Sequence, residues 1–174
     1  MNNIFKKRNT KTGSKGFSLI EVVIYFGLLA IISTLVITHI ISMFKNYGTV
    51  RSNQEIEYNA IAILDKLTRD VRDSESINVT DSDFDVAQGA ISLRTSSTSE
   101  VLFYLENNKV KYTKDGILIG NLSTNSVTVS NFRIQYINAS STEAIKVDLN
   151  LEITPHLQST PISKNFYTTI LLRE

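Results

Sequence analysis

A carboxylate at the threshold of a long apolar run is the first residue in this chain with chemistry to do. Glu21 is followed, from Val22 to Phe44, by sequence that contains no Asp, Glu, Lys or Arg. An ionised carboxylate at the head of a membrane-length segment is costly unless a cation pairs with it, so Glu21 asks for a positively charged partner. The materials of catalysis are thin elsewhere. The chain has no cysteine and two histidines, His39 inside the apolar run and His156 in a stretch bracketed by Pro155 and Pro161. Neither a Ser–His–acid arrangement nor a His-based metal cluster can be assembled from these, and the glycines are too scattered to cradle a phosphate. The expectation is a protein that is not an enzyme and needs no cofactor. His39, with no acidic neighbour, reads as an interfacial polar residue. In Asp81-Ser82-Asp83-Phe84-Asp85 carboxylates alternate with other residues, the spacing with which oxygen ligands open a calcium loop. Val86 then stands where such a loop needs glycine, and Ser92 where a bidentate acid belongs. Asp81, Asp83 and Asp85 are therefore weak metal candidates, and a solvated turn is the preferred reading.

The elements that position these groups follow from periodicity. At about 1.5 Å rise, the roughly 23 residues from Val22 to Phe44 form a rod of about 34 Å, enough to cross a bilayer. Ile56, Ala60, Ile63, Leu64, Leu67 and Val71 then recur at spacings of three and four, with Glu55, Glu57, Asp65, Lys66, Arg69, Asp70 and Arg72 on the other faces. That is an amphipathic helix whose apolar stripe packs on one surface. No proline lies between residues 17 and 154, so residues 17–75 read as one long helix, with Gly48 a point of local loosening. After Ser76 the pattern turns to short β-rich runs: Ile77–Thr80, Ala90–Arg94, Val101–Glu106, Lys109–Thr113, Ile117–Ile119, Val127–Val129, Phe132–Asn138, Ala144–Thr154 and Phe166–Arg173. Asn107-Asn108 and Asp115-Gly116 are predicted two-residue hairpin turns. Ile145, Val147, Leu149, Leu151 and Ile153 alternate with Lys146, Asp148, Asn150 and Glu152, the signature of an antiparallel strand with one wet face. The fold class expected is α+β: a long N-terminal helix, part membrane span and part amphipathic, packed on an antiparallel β-sheet.

Charge is unevenly distributed. Lys6, Lys7, Arg8, Lys11 and Lys15 precede Gly16 and no acidic residue does, which leaves 13 of the 18 basic residues after Gly16 against all 17 acidic ones, a balance of about −4. Basic residues beside a span stay cytoplasmic and the remainder is exported. An acidic remainder weighs against a broad nucleic-acid footprint, which needs clustered Lys and Arg. With no cysteine, the exported part must hold by packing alone.

Gly16-Phe17-Ser18-Leu19-Ile20-Glu21, behind a basic segment and ahead of a full membrane span, resembles the cleavage and methylation signature of type IV prepilins and of the pseudopilins of type II secretion. The segment Ala62–Asp73 is similar to the corresponding helix of minor pilins and J-type pseudopilins. The resemblance departs from many major pilins in lacking a helix-kinking proline in the span, where this chain has Thr38, and in lacking a cysteine-closed loop. It implies residues 1–16 as a cleaved leader, 17–44 and 45–76 as the membrane and amphipathic halves of one helix, and 77–174 as an exported β-rich domain. It implies cleavage after Gly16, N-methylation of the new amine on Phe17, and a subunit-assembly role for Glu21, which would neutralise that amine on a neighbouring subunit. The implied partners are a prepilin peptidase, other pilin or pseudopilin subunits, an assembly ATPase and platform proteins. The implied location is a single pass of the inner or cytoplasmic membrane, N-terminus in the cytoplasm, then a pilus or pseudopilus.

Other readings of the same residues remain. Glu21 near the end of its span also fits a carboxylate snorkelling at the interface of an ordinary signal anchor. A cleaved secretory signal over residues 1–44 does not fit, because the apolar core exceeds the roughly 7–15 residues of such signals and no A-x-A-like site follows. Three function classes are thus carried forward. The first is a structural subunit, a minor pilin or J-type pseudopilin. The second is a tip-located binding subunit for adhesion or DNA uptake. The third is a signal-anchored enzyme, for which the chain lacks a catalytic cluster.

Overall fold

The computed structural model describes residues 16–139, 142–155 and 160–172. The basic residues of the expected leader up to Lys15, His156 and Arg173 lie outside the described residues. Two compact units divide between Met43 and Phe44, and a single helix, α1 (Leu19–Asp73, 55 residues), contributes to both. Ser18, a residue type favoured at helix starts, is the N-cap: its carbonyl accepts the first helical bond, from Val22 N–H at 3.2 Å. Glu21 in the first turn and Arg72 in the last have the signs that the helix dipole favours. Gly48 neither breaks nor ends the helix. A side chain at that position would meet nothing, so the absent Cβ removes no packing and leaves the hydrogen-bond ladder intact.

In the first unit the helix is apolar on all sides and exposed. Its most apolar 18-residue window has a mean hydropathy of 2.5, and none of that window is buried within the protein. By length and composition this segment can cross a membrane.

The second unit begins at Phe44. Here α1 buries Ser52, Ile56, Asn59, Ala60, Ile63, Leu67 and Val71, which is the expected stripe without Leu64, only half-buried, and with two polar residues added. Each fully buried Ile or Leu contributes about 1.5–3 kcal/mol. Ser74 closes the helix by donating its hydroxyl to Val71 O at 2.7 Å, and Glu75 N–H bonds to Arg94 O at 2.8 Å, which starts the first strand. Eight strands follow. They are β1 (Ser76–Asp83), β2 (Ala90–Ser96), β3 (Ser99–Glu106), β4 (Lys109–Lys114), β5 (Ile117–Asn121), β6 (Thr128–Ala139), β7 (Thr142–Ile153) and β8 (Ile162–Leu171).

The architecture is a helix packed on antiparallel β-structure, with the sheet divided in two. Strands β1 to β5 form one meander and β6 to β8 a second, and all the strand pairs are antiparallel. The two sheets are joined along residues 85–89. There Asp85 N–H donates to Ile134 O, Phe132 N–H to Ala87 O and Gly89 N–H to Phe132 O, at 2.8, 2.9 and 2.8 Å, around a parallel bridge between Gln88 and Phe132. Helix and both sheets share one core, with Phe103 and Phe132 as its largest fully buried side chains.

Both expected hairpin turns are present. Asn107 and Asn108 have φ of 51° and 59°, and Asp115 and Gly116 have 52° and 76°, the paired positive values of a tight turn between right-twisted strands. The alternation over Ile145–Ile153 is a strand with its apolar side buried. Strand β5 is an edge, and its Ile117, Leu118 and Ile119 are all exposed.

Candidate functional site

The start of α1 gathers the residues singled out by their chemistry. Helical spacing places residue i+4 one turn above residue i, and side chains lean toward the N-terminus, so Tyr25 reaches back over Glu21. Its hydroxyl donates to Glu21 Oε1 at 3.0 Å. The Phe17 ring meets the Tyr25 ring edge-on, with centroids 6.4 Å apart and planes at 77°, a favoured aromatic geometry. Among the described residues no Lys, Arg or His forms an ion pair with Glu21. The carboxylate therefore has a neutral donor on one oxygen and capacity to accept from a cation on the other. Gly16, just before the helix, is exposed, and a Cβ there would meet nothing within 4 Å. The local fold makes no demand for glycine at this position.

Tyr25 was not identifiable as a functional residue by composition. The signal was its spacing, four residues after Glu21 and eight after Phe17, which on a helix puts its hydroxyl one turn from the carboxylate.

Asp81, Asp83 and Asp85 do not converge. Asp81 accepts from Asn78 Nδ2 at 2.7 Å. Asp83 ends β1, which runs past the expected limit at Thr80 with a register irregularity between Asn78 and Asp83. Asp85 accepts from Arg133 at 2.9 Å and Gln135 at 2.8 Å. Those two bonds, Gln135 first and Arg133 next, hold the Asp85 carboxyl below the usual aspartate range. Asp85 also takes a positive φ of 61°, and it serves the seam between the sheets. Among the described residues no group of three His, Asp or Glu side chains is placed to hold a metal ion.

A second cluster pins α1 to the first sheet. Lys66 Nζ contacts both Asp70 oxygens at 2.7 Å, lies 3.4 Å from the Tyr112 hydroxyl and sits 4.5 Å from the centre of that ring. Burial by itself would lower the Lys66 ammonium, but Asp70 and then Tyr112 outweigh it and hold the group above its ordinary value. Asn59, also buried, donates to Glu55 O and accepts from Thr124 N–H, both at 2.7 Å, which ties the connection between the sheets to the helix. Below these, within the second unit, lies a groove of about 640 Å³ whose walls include Phe44, Tyr47, Arg51, Glu55 and Pro155. Glu55 is already engaged by the Ser126 hydroxyl.

No protein-family model, curated protein or solved structure matches the chain.

Proposed function

We propose that this chain is a filament subunit of the pilin or pseudopilin class, a minor pilin or J-type pseudopilin of a type IV pilus-like or type II secretion filament. The observation that carries the reading is Glu21: a carboxylate in the first turn of an exposed apolar helix, bonded by one neutral donor and lacking a cation among the described residues. Cleavage after Gly16 supplies the cation, the amine of Phe17, on a neighbouring copy. A carboxylate and an ammonium buried together offset each other's loss of hydration, and such a pair fixes register more reliably than it adds stability. Gly16 supports the same reading from another side. Because the local fold tolerates a side chain there, a requirement for glycine is a requirement of the peptidase that binds the segment.

In this reading the chain is inserted as a single-pass precursor in the cytoplasmic membrane with its basic end inside, and it is processed by a prepilin peptidase. It is then drawn into a filament by the assembly ATPase and platform proteins. The exported β-rich unit faces outward, and the apolar helix exchanges lipid for sister helices.

The test is substitution at Glu21 and Gly16, read in cells. Glu21→Val leaves membrane insertion intact and strands a buried ammonium on the neighbour. Removing one member of a buried pair costs about 3–5 kcal/mol, so incorporation into filaments falls by roughly a hundredfold or more. Gly16→Glu leaves the precursor uncleaved, seen as an unshifted band on a gel. Normal incorporation of Glu21→Val, or assembled protein that retains residues ahead of Phe17 by mass spectrometry, refutes the proposal.

A further inference from the structure

We infer that Tyr25 is a positioning residue for Glu21: its hydroxyl occupies one carboxylate oxygen within the chain and leaves the other turned to the cationic amine of a neighbouring copy. The inference rests on the filament reading above and deepens it by naming the group that prepares the carboxylate for its partner.

Each of the two groups is costly alone. A carboxylate presents about four acceptor positions and a phenol one donor, and in apolar surroundings each is expensive when unmet. On the exposed apolar face of α1 they meet one another, Tyr25 Oη to Glu21 Oε1 at 3.0 Å. A bond to an ionised acceptor is about twice as strong as one between neutral groups. Oε2 receives no hydrogen bond from the described residues. A tyrosine at this position in place of phenylalanine adds only the hydroxyl, and the hydroxyl is the atom that touches Glu21.

The geometry also fixes which oxygen stays open. Phe17 packs edge-on against Tyr25, so the phenol ring is braced on the side from which the chain enters the helix. The Glu21 carboxylate is thereby held at Oε1 by a braced ring one turn above it. An unbraced carboxylate samples several rotamers, and immobilising it only when the neighbour arrives costs side-chain freedom at the moment of docking. A carboxylate already held by Tyr25 avoids much of that cost. Tyr25 thus separates two demands on one residue: keeping the carboxylate supported while the chain stands alone in lipid, and offering a fixed acceptor when a second copy docks.

The contrasting account is that Tyr25 is an interfacial aromatic whose hydroxyl is hydrated at the lipid headgroups. Two variants of the full chain separate these accounts. Tyr25→Phe keeps the ring and its contact with Phe17 and removes the donor. Tyr25→Gln removes the ring and keeps an N–H donor at the i+4 position. Leader cleavage is followed on the same gels and stays at wild-type level in both. The expected result is a drop approaching tenfold in filament incorporation for Tyr25→Phe, because the carboxylate must then be immobilised as the neighbour docks. Tyr25→Gln keeps incorporation within roughly threefold of wild type. Infrared difference spectra of the full chain in phosphatidylethanolamine–phosphatidylglycerol vesicles, wild type against Glu21→Gln, isolate the Glu21 carboxyl band. That band moves in Tyr25→Phe.

Wild-type incorporation of Tyr25→Phe, or an unmoved band, overturns the positioning role even where Glu21→Val fails to assemble and the filament reading stands. A moved band together with normal assembly of Glu21→Val overturns the presentation to a neighbour along with the filament reading, and leaves only the bond within the chain.

Discussion

Gly89→Ala is the sharpest perturbation of the fold, because Gly89 sits where the two sheets are joined. A Cβ built on Gly89 falls 2.6 Å from the carbonyl oxygen of Phe132, and 3.4 Å from both Asp83 O and Ile134 N. All three are backbone atoms, so no side chain can swing aside to relieve the contact. The Phe132 oxygen is also the acceptor of the Gly89 N–H at 2.8 Å. The methyl group must push apart the two strands of chain that this bond holds together. Insertion of a methyl into close-packed surroundings costs about 1–3 kcal/mol. Loss of one or two of the three backbone bonds at the seam adds roughly 0.5–1.5 kcal/mol each. The expected destabilisation is therefore about 1.5–6 kcal/mol, or a fall of roughly 5–25 °C in Tm for a unit of this size. The assay is urea and thermal unfolding of the full chain in detergent, followed by tyrosine fluorescence since the chain has no tryptophan. Two further glycines calibrate it. Gly120→Ala meets nothing and stays within about 0.5 kcal/mol of wild type. Gly116→Ala, at φ 76° in a hairpin turn, loses about 1–2 kcal/mol through backbone strain alone. A Gly89→Ala protein that unfolds at the same urea concentration as Gly120→Ala would refute the account of the seam.

Leu67→Ala opens a cavity in the core under α1, where Leu67 is fully buried, and loses about 2–5 kcal/mol in the same unfolding assay. Asp85→Asn changes the response to acid. The folded carboxyl of Asp85 lies below its ordinary 3.8 because Gln135 and Arg133 bond it, so its contribution to stability is present above the unfolded value and is lost as pH falls through the folded one. The urea midpoint of wild type therefore declines from roughly pH 5 downward, and that of Asp85→Asn declines less steeply; identical slopes would show that the pairing contributes nothing. Glu100, held low by Ser92 and then Asn78, and Asp115, held low chiefly by the Glu100 N–H, act in the same direction. Even in Asp85→Asn some acid sensitivity persists.

Much of this fold is legible in the sequence because local rules and global packing agree there. Of the expected stripe, Ile56, Ala60, Ile63, Leu67 and Val71 are buried, whereas Leu64, at its margin, is only partly covered. Asn-Asn and Asp-Gly turn where their tolerance of positive φ allows. What the sequence hides is pairing over distance. Runs of alternating residues give strands, but nothing local states that β6 bonds to residues 85–89 and not to β5. Strand limits shift for related reasons. Thr128–Ala139 is a single strand because a register irregularity between Val129 and Asn131 absorbs the polar Ser130, and β8 begins at Ile162, four residues earlier than its apolar pattern, because Ile153 offers a partner there. Ser52 and Asn59 are buried against their polarity. Asn59 is tolerated since Glu55 and Thr124 satisfy both ends of its amide. At the candidate site Glu21 stood out by its charge, but Tyr25 became visible only when the helix placed its hydroxyl on the carboxylate.

The exposed β5 edge bears on how this molecule behaves in detergent solution. Detergent cloaks the greasy helix, yet Ile117, Leu118 and Ile119 remain uncovered at 68, 51 and 61 % of their surface, on a strand hydrogen-bonded on one side by β4. An open, apolar border of this kind is a template for strand-on-strand aggregation. Lys114 and Asp115 ahead of it and Asn121 behind it act as charged and polar gatekeepers that shorten the sticky stretch. The three apolar residues of this edge are thus a solubility liability separate from the apolar helix, and a lysine placed at 118 improves solubility where more detergent does not.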